Sequence, residues 1–309
     1  MRRAFLATVA GALAGAALPA RAVEPAAAAA AASGSDWQPV VLPQVRRLDL
    51  ASARTGQRYR IFLSVPETAP PPGGHPVIYV LDANAAFPSI ALMARTAARR
   101  SKVTGRAAPV VVGIGYASGE DYDSVARARD YTPVAGGKAG KGEGGADLFL
   151  DFIELELKPL IQSTAPVNPQ RQALFGHSYG GLLTLHALFT RPAAFQTWIA
   201  ASPSIWYAER YILSEMAGLK TARTLPASVL LTVGELEQAA APPTAKPTDR
   251  AAVLAQKRMV DEVRDLAAQL EAHRQEYGLE RVRSIELPRE NHGSALFPAL
   301  SRGMEFFLE

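Results

Sequence analysis

Six short apolar runs, separated by longer stretches with helical periodicity, are the feature that most constrains how this chain folds. The runs lie at 77–81, 110–114, 173–175, 198–201, 229–233 and 282–287. Most are continuous rather than alternating, which is typical of strands buried on both faces. The stretches with helical spacing lie at 88–99, 148–161, 182–189, 251–276 and 294–308. This alternation predicts an α/β fold with a mostly parallel central sheet and helices on both of its faces.

The residues before position 77 predict an antiparallel edge to this sheet. A strand-like run at 60–65 is joined to the preceding residues through the turn at 53–56. Three other stretches, at 119–146, 202–225 and 238–250, fit neither a helix nor a strand. Loops of that length in a compact domain are usually lids or binding walls, so we expect them to surround a site.

The first 22 residues, MRRAFLATVAGALAGAALPARA, have the layout of a secretory signal peptide. Arg2 and Arg3 precede an apolar run at 5–18, and a small-residue site ends at Ala22. The run is shorter than the roughly 20 residues of a spanning helix, so no stable membrane insertion is expected after cleavage. The RRAFL sequence resembles the twin-arginine pattern, although Met1 stands where Ser or Thr is usual.

Cleavage of that signal peptide predicts a periplasmic or secreted protein. The mature chain is then expected to consist of a linker and one domain. Residues 23–40 are low in complexity and predict a linker, which leaves 41–309 as a single domain. The three arginines of the signal peptide reduce Lys and Arg from 33 to 30, against 29 acidic residues. The near-neutral mature chain carries no basic stripe with interleaved aromatic residues, so a nucleic-acid partner is not expected.

The chain contains no cysteine. Disulfides, thiolate nucleophiles and cysteine-ligated metals are therefore excluded. No feature of the sequence sets an oligomeric state.

A candidate nucleophile lies in LFGHSYGG, directly after a predicted strand and before a predicted helix. Residues 176–180 match G-x-S-x-G, the nucleophile elbow, in which a tight turn exposes the serine, here Ser178. Gly176 and Gly180 lack the Cβ atoms that would collide in such a turn. The Tyr179 amide would be a free donor at the positive end of the helix, suited to an oxyanion.

A serine hydroxyl needs a base, and elimination among the five histidines favours His292. His75 precedes its strand and lies at the wrong end of the sheet, and His177 occupies the x position of the elbow. His186 and His273 fall within predicted helices. His292 follows the last predicted strand, and functional groups in open α/β sheets gather at the carboxyl ends of strands.

The third member should orient the imidazole and stabilise its cationic form. The strand at 229–233 ends in GELE, between the serine and the histidine in sequence. The order Ser, acid, His is that of the α/β-hydrolase arrangement. Glu237 is preferred as the acid because it lies a few residues beyond the strand, and Glu235 remains the alternative.

A second oxyanion donor should come from the loop after the strand at 77–81. The backbone amides of Ala83 and Asn84 are the candidates. The alternative is that Asp82 and Asn84 only form a turn and cap the following helix.

Several motifs together resemble a known family. GHSYGG, ASPSIWY, VGELE, ENHGS, YVLDANAAF and RARDYTP occur in order over nearly the whole chain after about residue 40. They are similar to the putative-esterase branch of the α/β-hydrolases, and most similar to enterobactin and salmochelin esterases. The resemblance implies an α/β-hydrolase fold with Ser178 as nucleophile and His292 as base. Ala83 stands where relatives often have Gly.

The same resemblance implies substrate-binding residues. Arg127 matches an arginine at the substrate mouth of siderophore esterases, where it could meet catecholate oxygens or an anionic iron complex. The alternative is that Arg127 forms a salt bridge with Asp130 and orders its loop. Ser202 and Trp206, in ASPSIWY, are the other residues expected to contact substrate.

The predicted function is therefore an exported serine esterase, most specifically a siderophore esterase acting on an enterobactin-type trilactone. Two-step acyl transfer through Ser178 needs neither a cofactor nor a metal. Its expected partner is a small-molecule ester, with a ferric siderophore as one candidate. The alternatives are a general carboxylesterase or acyltransferase, and a catalytically silent binding protein of the same fold.

Overall fold

The computed structural model describes residues 39–220, 226–238, 246 and 249–309. The predicted signal peptide at 1–22 and the predicted linker, apart from residues 39 and 40, lie outside these residues. Leu42–Glu309 form one compact unit. No helix among the described residues is long and apolar enough to cross a lipid bilayer.

Eight strands form a single sheet within the described residues, in the order β1-β2-β4-β3-β5-β6-β7-β8. The strands are β1 Val45–Ala51, β2 Arg58–Ser64, β3 His75–Leu81, β4 Val110–Tyr116, β5 Val167–His177, β6 Thr197–Ala201, β7 Ala227–Gly234 and β8 Leu279–Leu287. From β4 to β8 every neighbouring pair is parallel. The antiparallel pairs are β1 with β2 and β2 with β4, at one edge. The predicted fold class, including the antiparallel edge, is confirmed.

Helices cover both faces of the sheet. They are α1 Ala83–Thr104, α2 Ser124–Tyr131, α3 Ala146–Phe152, α4 Lys158–Thr164, α5 Tyr179–Thr190, α6 Arg250–Lys257, α7 Met259–Ala272 and α8 Leu296–Leu308. Successive residues of β3 enter two different cores: Tyr79 packs with residues of α5 and α7, and Ile78 with residues of α1 and α8. The apolar runs are continuous because both faces of each central strand are covered.

The helical stretch at 251–276 is broken where the sequence predicts one helix. Arg258 adopts a left-handed conformation, with φ of 49°, and separates α6 from α7. Helical turns also continue from α3 into α4 through a π-helical turn at Ile153–Leu157. The apolar periodicity runs through Arg258, which is why it does not reveal the break.

The carboxyl ends of the parallel strands lie along one edge of the sheet. β3 ends at Leu81, β5 at His177, β7 at Gly234 and β8 at Leu287. The candidate nucleophile, base, acids and oxyanion donors each follow one of these ends. The topology therefore brings four segments that are distant in sequence to one place.

Candidate active site

Ser178 forms a strained turn between β5 and α5. Its backbone has φ of 60° and ψ of −118°, a conformation that costs an L-residue about 1–3 kcal/mol. The Ser178 amide donates to the carbonyl of Ala201 on the neighbouring strand, at 3.0 Å, and the Ser178 carbonyl accepts from Leu182. The strain is therefore held by the strand on one side and the helix on the other, as in a nucleophile elbow.

Two glycines make this turn possible, and one of them differs from the prediction. A Cβ at Gly176 would lie 2.1 Å from the Gly180 carbonyl oxygen. A Cβ at Gly180 would meet its neighbours at ordinary distances of 3.4 Å or more, whereas one at Gly181 would lie 2.9 Å from both the Ala201 oxygen and Pro203. Gly181, rather than Gly180, is thus the second glycine that close packing requires.

The structure brings Ser178, His292 and Glu237 together in a continuous hydrogen-bonded chain. His292 Nε2 lies 3.0 Å from Ser178 Oγ, and His292 Nδ1 lies 2.6 Å from Glu237 Oε2. The His292 side chain is 45% exposed, while that of Glu237 is 1% exposed. The imidazole is therefore open to substrate on one side and held by the buried Glu237 carboxylate on the other. This is the geometry in which a histidine can take a serine proton.

Glu237 accepts hydrogen bonds on both carboxylate oxygens. Ser202 Oγ donates to its Oε1 at 2.5 Å, and the Gly234 amide donates to the same oxygen at 2.7 Å. Burial raises the pKa of Glu237, but the hydrogen bond and charge of His292, with these two donors, outweigh burial and hold the pKa below its ordinary value. The carboxylate is therefore ionised and suited to orienting an imidazolium.

Glu235 takes a different position. Its Oε2 accepts from the Arg289 amide at 2.7 Å, and its side chain is exposed. The two glutamates occupy one short 3-10 turn, Glu235–Glu237, and point to different surroundings. Of the two candidate acids, the structure places Glu237 against His292.

Ser202 corrects the sequence analysis. It was expected to contact substrate, yet it is fully buried and donates to Glu237. Its own backbone is left-handed, with φ of 42°, and its amide donates to the Thr232 carbonyl at 2.7 Å. Ser202 lies behind the acid because β6 turns at that point, so its hydroxyl supports Glu237 and does not line the cleft.

The candidate oxyanion donors lie in the first turns of two helices. Tyr179 is the first residue of α5, and Ala83 and Asn84 are the first two of α1. Amides in a first helical turn have no intrahelical acceptor and point along the positive end of the helix dipole. Because α1 and α5 follow the adjacent parallel strands β3 and β5, both N-termini lie at the same edge.

The alternative role for Asp82 and Asn84, capping of α1 by their side chains, is not what the structure shows. Asp82 precedes α1 but makes no side-chain cap hydrogen bond to it. The Asn84 side chain donates to the carbonyls of Tyr116 and Glu120, at 3.1 and 2.7 Å. The Asn84 side chain thus ties α1 to the end of β4 and to the β4–α2 connection, while its backbone amide lies in the first turn of α1.

Arg127 pairs with Asp82 and not with Asp130. Its Nε lies 2.8 Å from Asp82 Oδ1, and the two side chains are 14% and 3% exposed. Asp130 instead binds the neighbouring Arg129. The proposed alternative of an Arg127–Asp130 pair is therefore wrong, because α2 turns these two residues toward different neighbours.

Trp206 stands beside the elbow. Its ring centroid is 6.2 Å from that of Tyr179, and the Lys257 ammonium lies 4.1 Å from the Trp206 centroid. All three side chains are partly exposed. Lys257 was missed by the sequence analysis, because α6 lies about fifty residues away in sequence and only folding brings it over Trp206.

His75, His186 and His273 contact groups other than Ser178. His75 is buried at the amino end of β3, and its ring contacts the Ala108 carbonyl. His186 lies between Glu215, at 2.7 Å, and Asp147, at 3.4 Å. His273 contacts the carbonyl of Gln269 at the end of α7. Across the described residues, no group of three or more His, Cys, Asp or Glu side chains could hold a metal ion.

His177 packs under the candidate base. Its ring centroid lies 4.8 Å from that of His292, and the residue is 6% exposed. Burial, with the charge of His292 as a second cause, lowers the pKa of His177 to about 3. His177 is therefore neutral in the folded protein at neutral pH.

The burial of neutral His177 predicts that the folded protein loses stability as the pH falls below neutrality. Below its ordinary pKa of 6.5 the unfolded chain binds a proton at His177 that the folded chain does not. The free energy of unfolding should then fall by up to ~1.4 kcal/mol per pH unit as the pH drops from about 6.5 toward 5. His177→Asn removes this contribution, so its stability should depend less steeply on pH. Urea unfolding at several pH values measures both slopes, and equal slopes would contradict the prediction.

The Esterase family model, described as "Putative esterase", matches residues 52–283. This chain belongs to the Esterase family. The membership confirms the predicted family resemblance and the predicted carboxylic ester hydrolase activity.

Two curated relatives are similar over most of their length. The chain is 39% identical to the ferri-bacillibactin esterase of Bacillus subtilis, over 84% of this chain and 88% of that protein. It is 37% identical to the siderophore triacetylfusarinine C esterase of Aspergillus fumigatus, over 88% of this chain and 95% of that protein.

Solved structures agree on the fold. The BES protein from Bacillus cereus superposes with a TM-score of 0.76 at 30% identity, covering 90% of this chain and 99% of that one. The siderophore hydrolase EstB from Aspergillus nidulans gives a TM-score of 0.75 at 33% identity, covering 88% and 97%. The α/β-hydrolase architecture therefore extends across nearly the whole of the described sheet and its helices.

Proposed function

We propose that this protein is an exported serine esterase that hydrolyses a siderophore ester. The observation that carries the serine mechanism is the hydrogen-bonded chain from Ser178 Oγ through His292 to Glu237, with link distances of 3.0 and 2.6 Å. A histidine held by a buried carboxylate and bonded to a hydroxyl on a strained turn is equipped for nucleophilic attack on a carbonyl.

The reaction follows from this geometry in two steps. His292 Nε2 takes the Ser178 proton as Oγ attacks the ester carbonyl, and the amides of Tyr179 and of Ala83 or Asn84 receive the developing oxyanion. His292 then protonates the leaving alcohol, which leaves an acyl-enzyme. Water attacks this acyl group with His292 again as base, and the acid and free Ser178 are released.

The substrate class is proposed from relatives and from the cleft. The curated relatives named above are esterases of the siderophores bacillibactin and triacetylfusarinine C. Beside Ser178, this chain offers aromatic faces at Tyr179 and Trp206, with the Lys257 ammonium over Trp206. Flat rings and a cation suit an aromatic, anionic ligand such as a catecholate–iron complex. An enterobactin-type trilactone is accordingly the first substrate to test.

Export is proposed from the first 22 residues alone. Their paired arginines, apolar run and small-residue site match the layout of a signal peptide, which supports a mature enzyme in the periplasm or outside the cell. N-terminal sequencing of the protein recovered from a periplasmic fraction tests this, and a mature chain that begins at Val23 is the expected result.

Substrate preference is tested by comparing enterobactin, with and without iron, with p-nitrophenyl acetate. We expect kcat/KM for the trilactone to exceed that for the short ester by at least ~100-fold, about 2.7 kcal/mol of additional transition-state binding. Chromatographic detection of the opened trilactone measures the first rate, and absorbance of p-nitrophenol measures the second. Turnover of only the short ester would refute the siderophore proposal and leave a general carboxylesterase.

A further inference from the structure

We propose that Arg127 and Tyr131 form a clamp on Asp82 that positions the oxyanion-binding amides of α1, an inference that rests on the proposed serine mechanism. In this reading Arg127 acts through Asp82 and is a positioning residue. The sequence resemblance, in contrast, implies that Arg127 contacts substrate.

Asp82 occupies an unusual backbone position directly before the candidate donors. Its φ of 52° and ψ of 42° are left-handed, a conformation that costs a non-glycine residue about 1–2 kcal/mol. An aspartate before a helix usually caps it with its side chain, but this carboxylate turns away from α1. Something outside the loop must hold this turn.

One face of α2 supplies that hold. Arg127 and Tyr131 are four residues apart on α2 and therefore project to the same side. Arg127 Nε binds Asp82 Oδ1 at 2.8 Å, and the Tyr131 hydroxyl accepts the Asp82 amide proton at 3.3 Å. Tyr131 is fully buried. The side chain and the backbone of Asp82 are thus held by one helix.

The Arg127 guanidinium is itself confined. It lies 5.4 Å from the ring centroid of Tyr122 and 5.8 Å from that of Tyr131. With 14% of its side chain exposed, little of it is available to a ligand. Its planar head is committed to Asp82 and two aromatic faces.

The clamp also lies against the elbow. A Cβ built on Gly180, the second residue of α5, would be 3.4 Å from Leu81 and 3.6 Å from Asp82 Oδ2. The Asp82 carboxylate is therefore close to both helix N-termini that would stabilise the oxyanion. Burial raises the pKa of Asp82 and Arg127 opposes that rise. Without Arg127 the buried carboxyl group would lose both its counter-charge and its hydrogen-bond donor, and the turn before Ala83 would lose a restraint on its side chain.

The test uses p-nitrophenyl acetate, which is uncharged and makes few contacts beyond the reacting carbonyl. Arg127→Met should lower kcat by about 100-fold, the usual loss for one oxyanion donor, and change KM by less than about twofold. Its affinity for methylboronic acid, which forms an anionic tetrahedral boronate on serine with a hydroxyl group in the oxyanion position, should fall by a similar factor. Adding Asp82→Asn should recover at least ~tenfold of kcat, because the buried carboxyl group that has lost its partner is replaced by a neutral amide and Asn tolerates a left-handed backbone.

Arg129→Met is the matched control. Arg129 lies on the same helix and also pairs with a buried aspartate, Asp130, so its loss should lower the melting temperature and leave kcat within about twofold. Arg127→Lys keeps the charge and provides a second variant should Arg127→Met fold poorly; we expect about a tenfold loss of kcat from it.

Two results would overturn the inference. Full kcat of Arg127→Met on the neutral ester, with a raised KM only for a ferric siderophore, would make Arg127 a substrate contact. Equal kcat losses in Arg127→Met and Arg129→Met would reduce the clamp to general stability. An inactive wild-type protein, unable to hydrolyse the neutral ester or bind the boronic acid, would instead refute the proposed function and the inference with it.

Discussion

Replacing Ser178 by alanine is expected to lower kcat by about 10⁵- to 10⁶-fold. The variant keeps His292, Glu237 and the amide donors, but no atom remains to form the acyl-enzyme. Residual hydrolysis would come from water and the oxyanion donors alone. Steady-state rates on p-nitrophenyl acetate measure the loss, and mass spectrometry after treatment with a fluorophosphonate measures labelling.

The wild-type protein should gain one phosphonyl group, on the peptide containing Ser178, and the variant should gain none. Ser163→Ala is a suitable control because Ser163 is exposed on α4 and makes a hydrogen bond only within that helix turn. It should react like the wild type. Substantial activity or labelling in Ser178→Ala would identify another nucleophile and refute the serine mechanism proposed here.

Glu237→Gln should reduce kcat by about 10⁴-fold while the fold is retained. The reason lies in the hydrogen bonds that the carboxylate accepts. Ser202 and the Gly234 amide both donate to Oε1, so in the variant the amide oxygen must stay there. The amide NH₂ then faces His292 Nδ1 and stabilises the tautomer that carries its proton on Nε2. That nitrogen can no longer accept the Ser178 proton.

Glu235→Gln is the matched control for this prediction. Glu235 is exposed, and its carboxylate accepts a hydrogen bond from the Arg289 amide. We expect its kcat to stay within about threefold of the wild type. The kcat values of Glu237→Gln and Glu235→Gln are measured on one neutral ester. A larger loss in Glu235→Gln would show that Glu235, and not Glu237, orients His292.

The sequence predicts much of this site because the residues with the required chemistry directly follow the carboxyl ends of predicted strands. G-x-S-x-G names Ser178, and elimination by position leaves His292 at the end of the last strand. The order Ser, acid, His confines the acid to the residues after β7. Each of these steps uses only the type of a residue and its distance from an apolar run, and both are properties that a sequence carries.

Side-chain pairings across the site could not be read in this way. Ser202 and Arg127 were expected at the substrate surface, yet Ser202 supports Glu237 and Arg127 binds Asp82. No motif near Lys257 or Trp206 in the sequence indicates that these two side chains meet. These partners are 35, 45 and about 50 residues apart, and which of them meet depends on rotamers and loop paths that local pattern does not encode.

The sequence by itself therefore determined the α/β class, the mostly parallel sheet, its antiparallel edge and the strand ends at which the candidate site lies. It did so because burial on both faces of a strand demands continuous apolar residues. Only the tertiary structure chose between Glu237 and Glu235 as partner of His292, and only it turned Arg127 toward Asp82. Those choices depend on where buried hydrogen-bond donors and opposite charges come together after packing, because a buried carboxylate must find partners within about 3 Å.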